Sequence, residues 1–278
     1  MSIRDLLHEA ADRLSAAGVD GARIDARILL AHAMGVTRED VIAAARSPIA
    51  EESARFEAFI ARRMAREPVA YIRGHREFWS LDFHVGPGVL VPRPDTEILI
   101  EEAMAAMPDR NAPLAVADLG AGSGALLVAA LKEFPNARGT GFENSPNAFT
   151  YAEANLMHHG LSERAQMVAA DWSTAQGVFD LVFSNPPYIP SAEIETLDPE
   201  VRLHEPRAAL DGGHDGLDAY RTLARLLPGI LKPGGMAFLE LGLGQAKPVE
   251  LLFENLAVVH VAPDLAGIPR VLVLQASK

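Results

Sequence analysis

The stretch Val116-Ala117-Asp118-Leu119-Gly120-Ala121-Gly122-Ser123-Gly124 decides the architecture of this chain. A short apolar strand runs into glycines at alternate positions, and a helix-forming run follows over 123–134. Outward from it, after Pro113, strands are predicted at 114–118, 138–143, 166–170, 179–184, 235–241, 257–262 and 270–275, with helices at 146–158, about 216–231 and about 245–255. Such alternation predicts an α/β fold, a Rossmann-like, mostly parallel sheet with helices on both faces.

Upstream the period changes. Residues 3 to about 66 read as helical, with Ile3, Leu6, Leu7, Ala10, Ala11 and Leu14 at three- and four-residue steps, Gly18 and Gly35 as punctuation, and Thr37-x-x-Asp40 as a capping box. Phe78, Trp79, Leu81, Phe83, Val85, Val89 and Val91, broken by Gly86-Pro87-Gly88, predict a β-hairpin. Pro92-Arg93-Pro94 ends it, and Asp95 or Thr96 is placed to cap a helix reaching about Met107. The expected organisation is a helical domain over 1–68, a hairpin connector over 69–92 and the α/β domain over 93–278.

Composition narrows the chemistry. At 278 residues and 49% hydrophobic, the chain can bury a sizeable core, and no run approaches the ~20 apolar residues of a membrane span. Without a signal-peptide pattern at Met1-Ser2-Ile3-Arg4-Asp5, a cytoplasmic location and no membrane partner are expected. The absence of cysteine excludes disulfides and thiolate chemistry, and a net charge of -12 opposes direct nucleic-acid binding. Arg55, Arg62, Arg63, Arg66, Arg73 and Arg76 concentrate positive charge, which Arg62-Arg63-x-x-Arg66 would present as a solvated helix face. His75, His84, His158, His159, His204 and His214 are scattered, so no metal is expected.

The glycine turn lies where ligands bind in doubly wound sheets. A dinucleotide fingerprint reads G-x-G-x-x-G, whereas Gly120, Gly122 and Gly124 are evenly spaced behind Asp118, the arrangement methyltransferases use. Glu143, at the end of the second strand, is placed to accept both hydroxyl protons of a ribose, and Asp171-Trp172 offers a carboxylate and an indole face for adenine. The sharpest signal is Asn185-Pro186-Pro187-Tyr188, after the apolar strand 179–184. An amide or aromatic amine nitrogen is a poor nucleophile because its lone pair is delocalised. The Asn185 side-chain oxygen and the Pro186 carbonyl can accept its two protons, Pro187 stiffens the loop, and Tyr188 offers a face to a planar target.

With these motifs the chain resembles the release-factor glutamine methyltransferases. The likeness extends to Pro68-x-Ala70-Tyr71-Ile72-x-Gly74, Arg76-Glu77-Phe78-Trp79, Pro92-Arg93-Pro94-Asp95-Thr96-Glu97, the stretch from Glu205-Pro206-Arg207 to Asp211-Gly212-Gly213-x-Asp215-Gly216, and Asp264-Leu265-Ala266-Gly267. The resemblance implies a class I S-adenosylmethionine methyltransferase with a small N-terminal helical domain that grips the substrate. It implies S-adenosylmethionine as cofactor, S-adenosylhomocysteine as product, and peptide chain release factors as partners, methylated on glutamine N5 in the Gly-Gly-Gln loop. By position it assigns Gly120, Ala121, Gly122, Ser123, Gly124, Glu143, Asp171, Trp172 and Asn185 to the cofactor. Asn185, Pro186, Pro187 and Tyr188 fall to the glutamine, with Asn185, Pro186 and Tyr188 in the catalytic role. Glu143 stands for the family's usual Asp, Asp95 for Glu and Ile268 for Arg. The competing expectations are an amino-methyltransferase of nucleic acid, acting on adenine N6 or guanine N2, and a ribosomal-protein glutamine methyltransferase.

Overall fold

The computed structural model describes residues 2–47 and 53–277, which form two compact units. One runs to His75 and takes in Asp198–His204; the other comprises Arg76–Leu197 and the chain from Glu205.

The first unit is helical: α1 (Ile3–Ala16), α2 (Ala22–Met34), α3 (Arg38–Ala43), α4 (Ser53–Met64) and α5 (Val69–Arg73). Leu14, Leu29, Leu30, Phe56 and Ile60 are its fully buried core, and the capping box forms as expected, with Thr37 and Asp40 satisfying each other's backbone N–H. The arginine face departs from expectation. Arg63 is 5% exposed, its Nε donating to Asp25 at 2.8 Å and its Nη2 paired with Glu200 at 2.7 Å, while Arg66 pairs with the same Glu200 at 2.6 Å. A planar guanidinium serves two carboxylates at once, so charges that looked solvated along one helix are consumed by residues distant in sequence.

β1 (His75–Phe78), which starts on the last residue of the first unit, and β2 (Leu81–His84) form the hairpin. Its turn is Trp79-Ser80, at φ 53° and 55°, rather than Gly86-Pro87-Gly88, and residues 69–73 expected within the hairpin stretch are helix α5. Tertiary anchors hold this left-handed pair: Trp79 N–H donates to Glu97 at 2.7 Å, its indole N–H to Glu133 at 2.8 Å, and Ser80 N–H to Glu77 at 2.6 Å.

After a 3₁₀ turn at Pro94–Glu97 come α6 (Ile98–Ala106), β3 (Ala115–Leu119), α7 (Ala125–Glu133), β4 (Arg138–Glu143), α8 (Pro146–His158), β5 (Ala165–Ala169) and β6 (Phe179–Ser184). The short α9 (Pro199–His204) belongs to the helical unit, and α10 (Asp218–Ile230), β7 (Leu231–Glu240), α11 (Ala246–Glu250), β8 (Ala257–Pro263) and β9 (Pro269–Gln275) complete the chain. The helix expected to about residue 255 is only α11, because tight turns close Leu252 on Val249 and Phe253 on Glu250, bringing Phe253 in to 3% exposure.

The sheet order is β5-β4-β3-β6-β7-β9-β8; β3 to β7 are parallel and β9 is antiparallel to both neighbours. Strand alternation builds two cores. Val116, Leu181 and Phe183 face one with α7, whereas Ala117, Leu119 and Val182 face the other with Tyr220, Leu223 and Leu227 of α10. Sheet order reverses between β3 and β6, so their carboxyl ends flank the crevice where such sheets bind ligands. Among the described residues no helix is long and apolar enough to cross a membrane.

Candidate active site

Gly120, Gly122 and Gly124 all adopt positive φ, 78°, 57° and 78°, which explains three glycines in five residues. A Cβ at Gly120 would meet the Trp172 ring at 3.6 Å, an ordinary contact, so the positive φ rather than crowding calls for glycine there. The turn is held from behind by Asn155 of α8, fully buried, whose Nδ2 donates to Ser123 C=O at 2.8 Å and to His84 C=O at 3.0 Å. Nothing in the sequence marked Asn155 except a polar residue on an apolar helix face.

Glu143 Oε2 accepts from Gly122 N–H at 2.9 Å and Oε1 from Ser145 N–H at 2.8 Å, which fixes the carboxylate beside the turn with lone pairs to spare. Asp171 Oδ1 accepts from Ser173 N–H at 2.9 Å; hydrogen bonding to Ser173 holds its carboxyl below the usual range. These groups line one cleft of about 340 Å³, with Gly120, Ala121, Gly122, Ser123, Trp172, Asn185, Pro186 and Pro187 on its wall. Two expected residues are not on that wall. Gly124 packs against Ala152, and Tyr188 sits on the α10-side core with its hydroxyl on Glu240.

The cleft also contains residues that the sequence did not single out as site residues. Arg93 reaches it from the Pro92-Arg93-Pro94 stretch and is anchored at 2.6 Å to the buried Glu205, whose other oxygen takes Val91 N–H at 3.3 Å. Thr96, expected as a possible helix cap, makes no such bond; its hydroxyl instead donates to Glu240. The only sequence signal for Glu240 was a carboxylate ending the apolar run Met236-Ala237-Phe238-Leu239.

Asp118 lies under the turn, fully buried, with Oδ2 accepting from Leu127 N–H at 3.2 Å and Oδ1 without a partner. Burial pushes its carboxyl up to about 7, against the Leu127 hydrogen bond and with a further push from the Glu143 charge. Its folded value exceeds the unfolded one, so its stabilising effect is present at low pH and is lost as pH rises towards 7. Asp118→Asn is therefore expected to gain on the wild type by about 1 kcal/mol per pH unit between pH 5 and 7. Denaturant midpoints of both proteins across that range check this; parallel pH profiles would refute it.

The chain's residues 5–74 match the model of the PrmC N-terminal domain, and 94–202 match the methyltransferase small domain. It is 45% identical to a release factor glutamine methyltransferase of Caulobacter vibrioides, over 95% of this chain and 92% of that one. A second such enzyme, from Bradyrhizobium diazoefficiens, is 46% identical over 97% and 93% of the two chains. The chain belongs to the release factor glutamine methyltransferase family. A methyltransferase structure from Pyrococcus furiosus, 19% identical, superposes with a TM-score of 0.52 over 81% of this chain and 100% of that one, a likeness of fold alone. Membership in the glutamine methyltransferase family and the sheet topology agree on the class I, S-adenosylmethionine-dependent fold, with the glycine turn and the Asn185 loop at the same sheet end.

Proposed function

We propose that the protein transfers a methyl group from S-adenosylmethionine to the side-chain amide N5 of the glutamine in the Gly-Gly-Gln loop of a peptide chain release factor. The observation that carries this reading is the shared cleft: Asn185 and Pro186, the two acceptors an amide needs, line the same space as the glycine turn, Glu143 and Trp172.

The residues fit that cofactor. The turn's backbone would lie against it with no Cβ at Gly120 or Gly122, Glu143 would take the ribose hydroxyls, Asp171 the adenine amine and Trp172 the base's flat face. When bound, S-adenosylmethionine supplies an electrophilic methyl group on its sulfonium. The chain's own contribution is positioning. Asn185 Oδ1 and Pro186 C=O accept the two amide protons, which localises the nitrogen lone pair and aims it, and the prolines keep both acceptors from drifting. No base is needed beforehand, because the methylated amide is a far stronger acid and sheds its proton afterwards.

Incubating the protein with S-adenosylmethionine and a purified release factor, beside a Gln→Ala release factor and an RNA competitor, tests this. A Gly-Gly-Gln peptide heavier by one CH₂ is expected; label found only on RNA would overturn the substrate. Glu143→Ala is expected to raise the cofactor's dissociation constant by about 10- to 100-fold, the worth of a charged hydrogen-bonding group. Titration calorimetry showing no change would remove Glu143 from the ribose role.

A further inference from the structure

Glu240 is 2% exposed at the carboxyl end of β7, behind the cleft wall, and it reaches the cleft only through its bond to the wall residue Thr96. Its Oε2 accepts from the Thr96 hydroxyl at 2.6 Å and its Oε1 from the Tyr188 hydroxyl at 3.1 Å. Thr96 Oγ1 in turn lies 3.1 Å from Asn185 Nδ2. These three bonds bring a segment before α6, the end of β7 and both ends of the Asn185–Tyr188 loop onto one carboxylate.

A threonine hydroxyl has one proton and two lone pairs. The proton is committed to Glu240, over a distance typical of a charge-assisted bond. Only acceptor capacity then faces Asn185. A carboxamide offers a donor at one end and an acceptor at the other, and the donor end must turn to Thr96; the reverse orientation would set two oxygens against each other. We propose that Thr96 and Glu240 are positioning residues for methyl transfer, a relay that fixes the Asn185 amide with Nδ2 on Thr96 and leaves Oδ1 to accept the substrate's N–H. The proposal rests on the amide-nitrogen reading above and adds to it what sets the polarity of the acceptor.

The placement of Glu240 supports this. Burial raises its carboxyl pKa, while the Thr96 and Tyr188 hydroxyls and the positive Arg270 act the other way. A buried carboxylate with two hydroxyl donors is costly to keep and is poorly explained by packing alone, since β7 is otherwise apolar there. The Tyr188 bond gives the same carboxylate a second function, holding the far end of the loop. Behind it, the Tyr220 hydroxyl donates to the Glu240 backbone C=O at 2.7 Å and keeps the strand end in place.

The test uses the full chain with release factor and S-adenosylmethionine. Thr96→Val keeps the shape but removes the acceptor, and Thr96→Ser keeps the hydroxyl. Thr96→Val is expected to lose on the order of 10²-fold in kcat with cofactor affinity unchanged, and Thr96→Ser to return to within about threefold of wild type. Thr96→Ala, which imposes no new bulk, serves in the same comparison if the valine variant folds poorly. Wild-type kcat retained in both hydroxyl-free variants would overturn the relay. So would a loss that Thr96→Ser fails to rescue, or one matched by an equal loss of cofactor affinity, since either marks a packing role. The wild-type rate on the release factor tests the substrate reading, and the ratio of variant to wild type tests the relay.

Discussion

Asn185→Ala is expected to lower kcat by about 10³-fold while cofactor affinity, to which Asn185 would add one contact among those of the glycine turn, Glu143, Asp171 and Trp172, falls by no more than about tenfold. On the proposed mechanism the variant removes one of two acceptors for the amide protons and leaves Pro186 C=O alone to hold the nitrogen, so the lone pair would stay delocalised and the target would be free to rotate. The loss belongs to the transfer step, and kcat and kcat/KM should fall together. The rest of the cleft has independent support, because Glu143 is held by Gly122 and Ser145 and the glycine turn by Asn155. Thr96 keeps its bond to Glu240, so stability should fall by only about 1 kcal/mol, the usual worth of one hydrogen bond. Single-turnover rates and calorimetric titration of the same preparation measure both quantities. Turnover within tenfold of wild type would remove Asn185 from the chemistry.

Much of the candidate site was legible because its signals are local. Gly120, Gly122 and Gly124 declare a backbone that needs positive φ, and Asn185-Pro186-Pro187 declares rigid acceptors at a strand end. The supporting residues were not legible, because their partners are remote: Thr96 and Glu240 are 144 residues apart, Thr96 and Asn185 are 89. The hairpin turn was misplaced for a related reason. Glycine and proline at 86–88 are the stronger turn letters, yet Trp79-Ser80 turns because Glu77, Glu97 and Glu133 fix it in three dimensions. Arg63 likewise shows its burial only once Asp25 and Glu200 are beside it.

Gly212→Ala is the second large effect, expected outside the cleft wall. The Asp211-Gly212-Gly213 stretch looks in sequence like a turn leading to α10, and the structure brings it against Tyr188 and Ile189, at the end of the Asn185-Pro186-Pro187-Tyr188 loop. Gly212 N–H donates to Ile189 C=O at 2.8 Å, and Ile189 and Asp211 are bridge partners in parallel. A Cβ on Gly212 would stand 2.8 Å from the Tyr188 Cα and 2.9 Å from both the Cα and the carbonyl oxygen of Gly216, all backbone atoms that cannot rotate aside. One added methyl must therefore push the 185–188 loop or the 212–216 segment, at about 1–3 kcal/mol of overpacking. A displacement of under an ångström suffices to spoil the attack geometry, so kcat is expected to fall by about 10²-fold with cofactor affinity held within about twofold. Gly229→Ala is the control: its Cβ would meet nothing within 4 Å on helix α10, and that variant should match the wild type in rate and be equal or higher in melting temperature. If Gly212→Ala also matches the wild type in rate, the loop tolerates movement and rigid positioning is not the main source of catalysis; if cofactor affinity falls in step with kcat, the segment supports the whole cleft rather than the amide pocket.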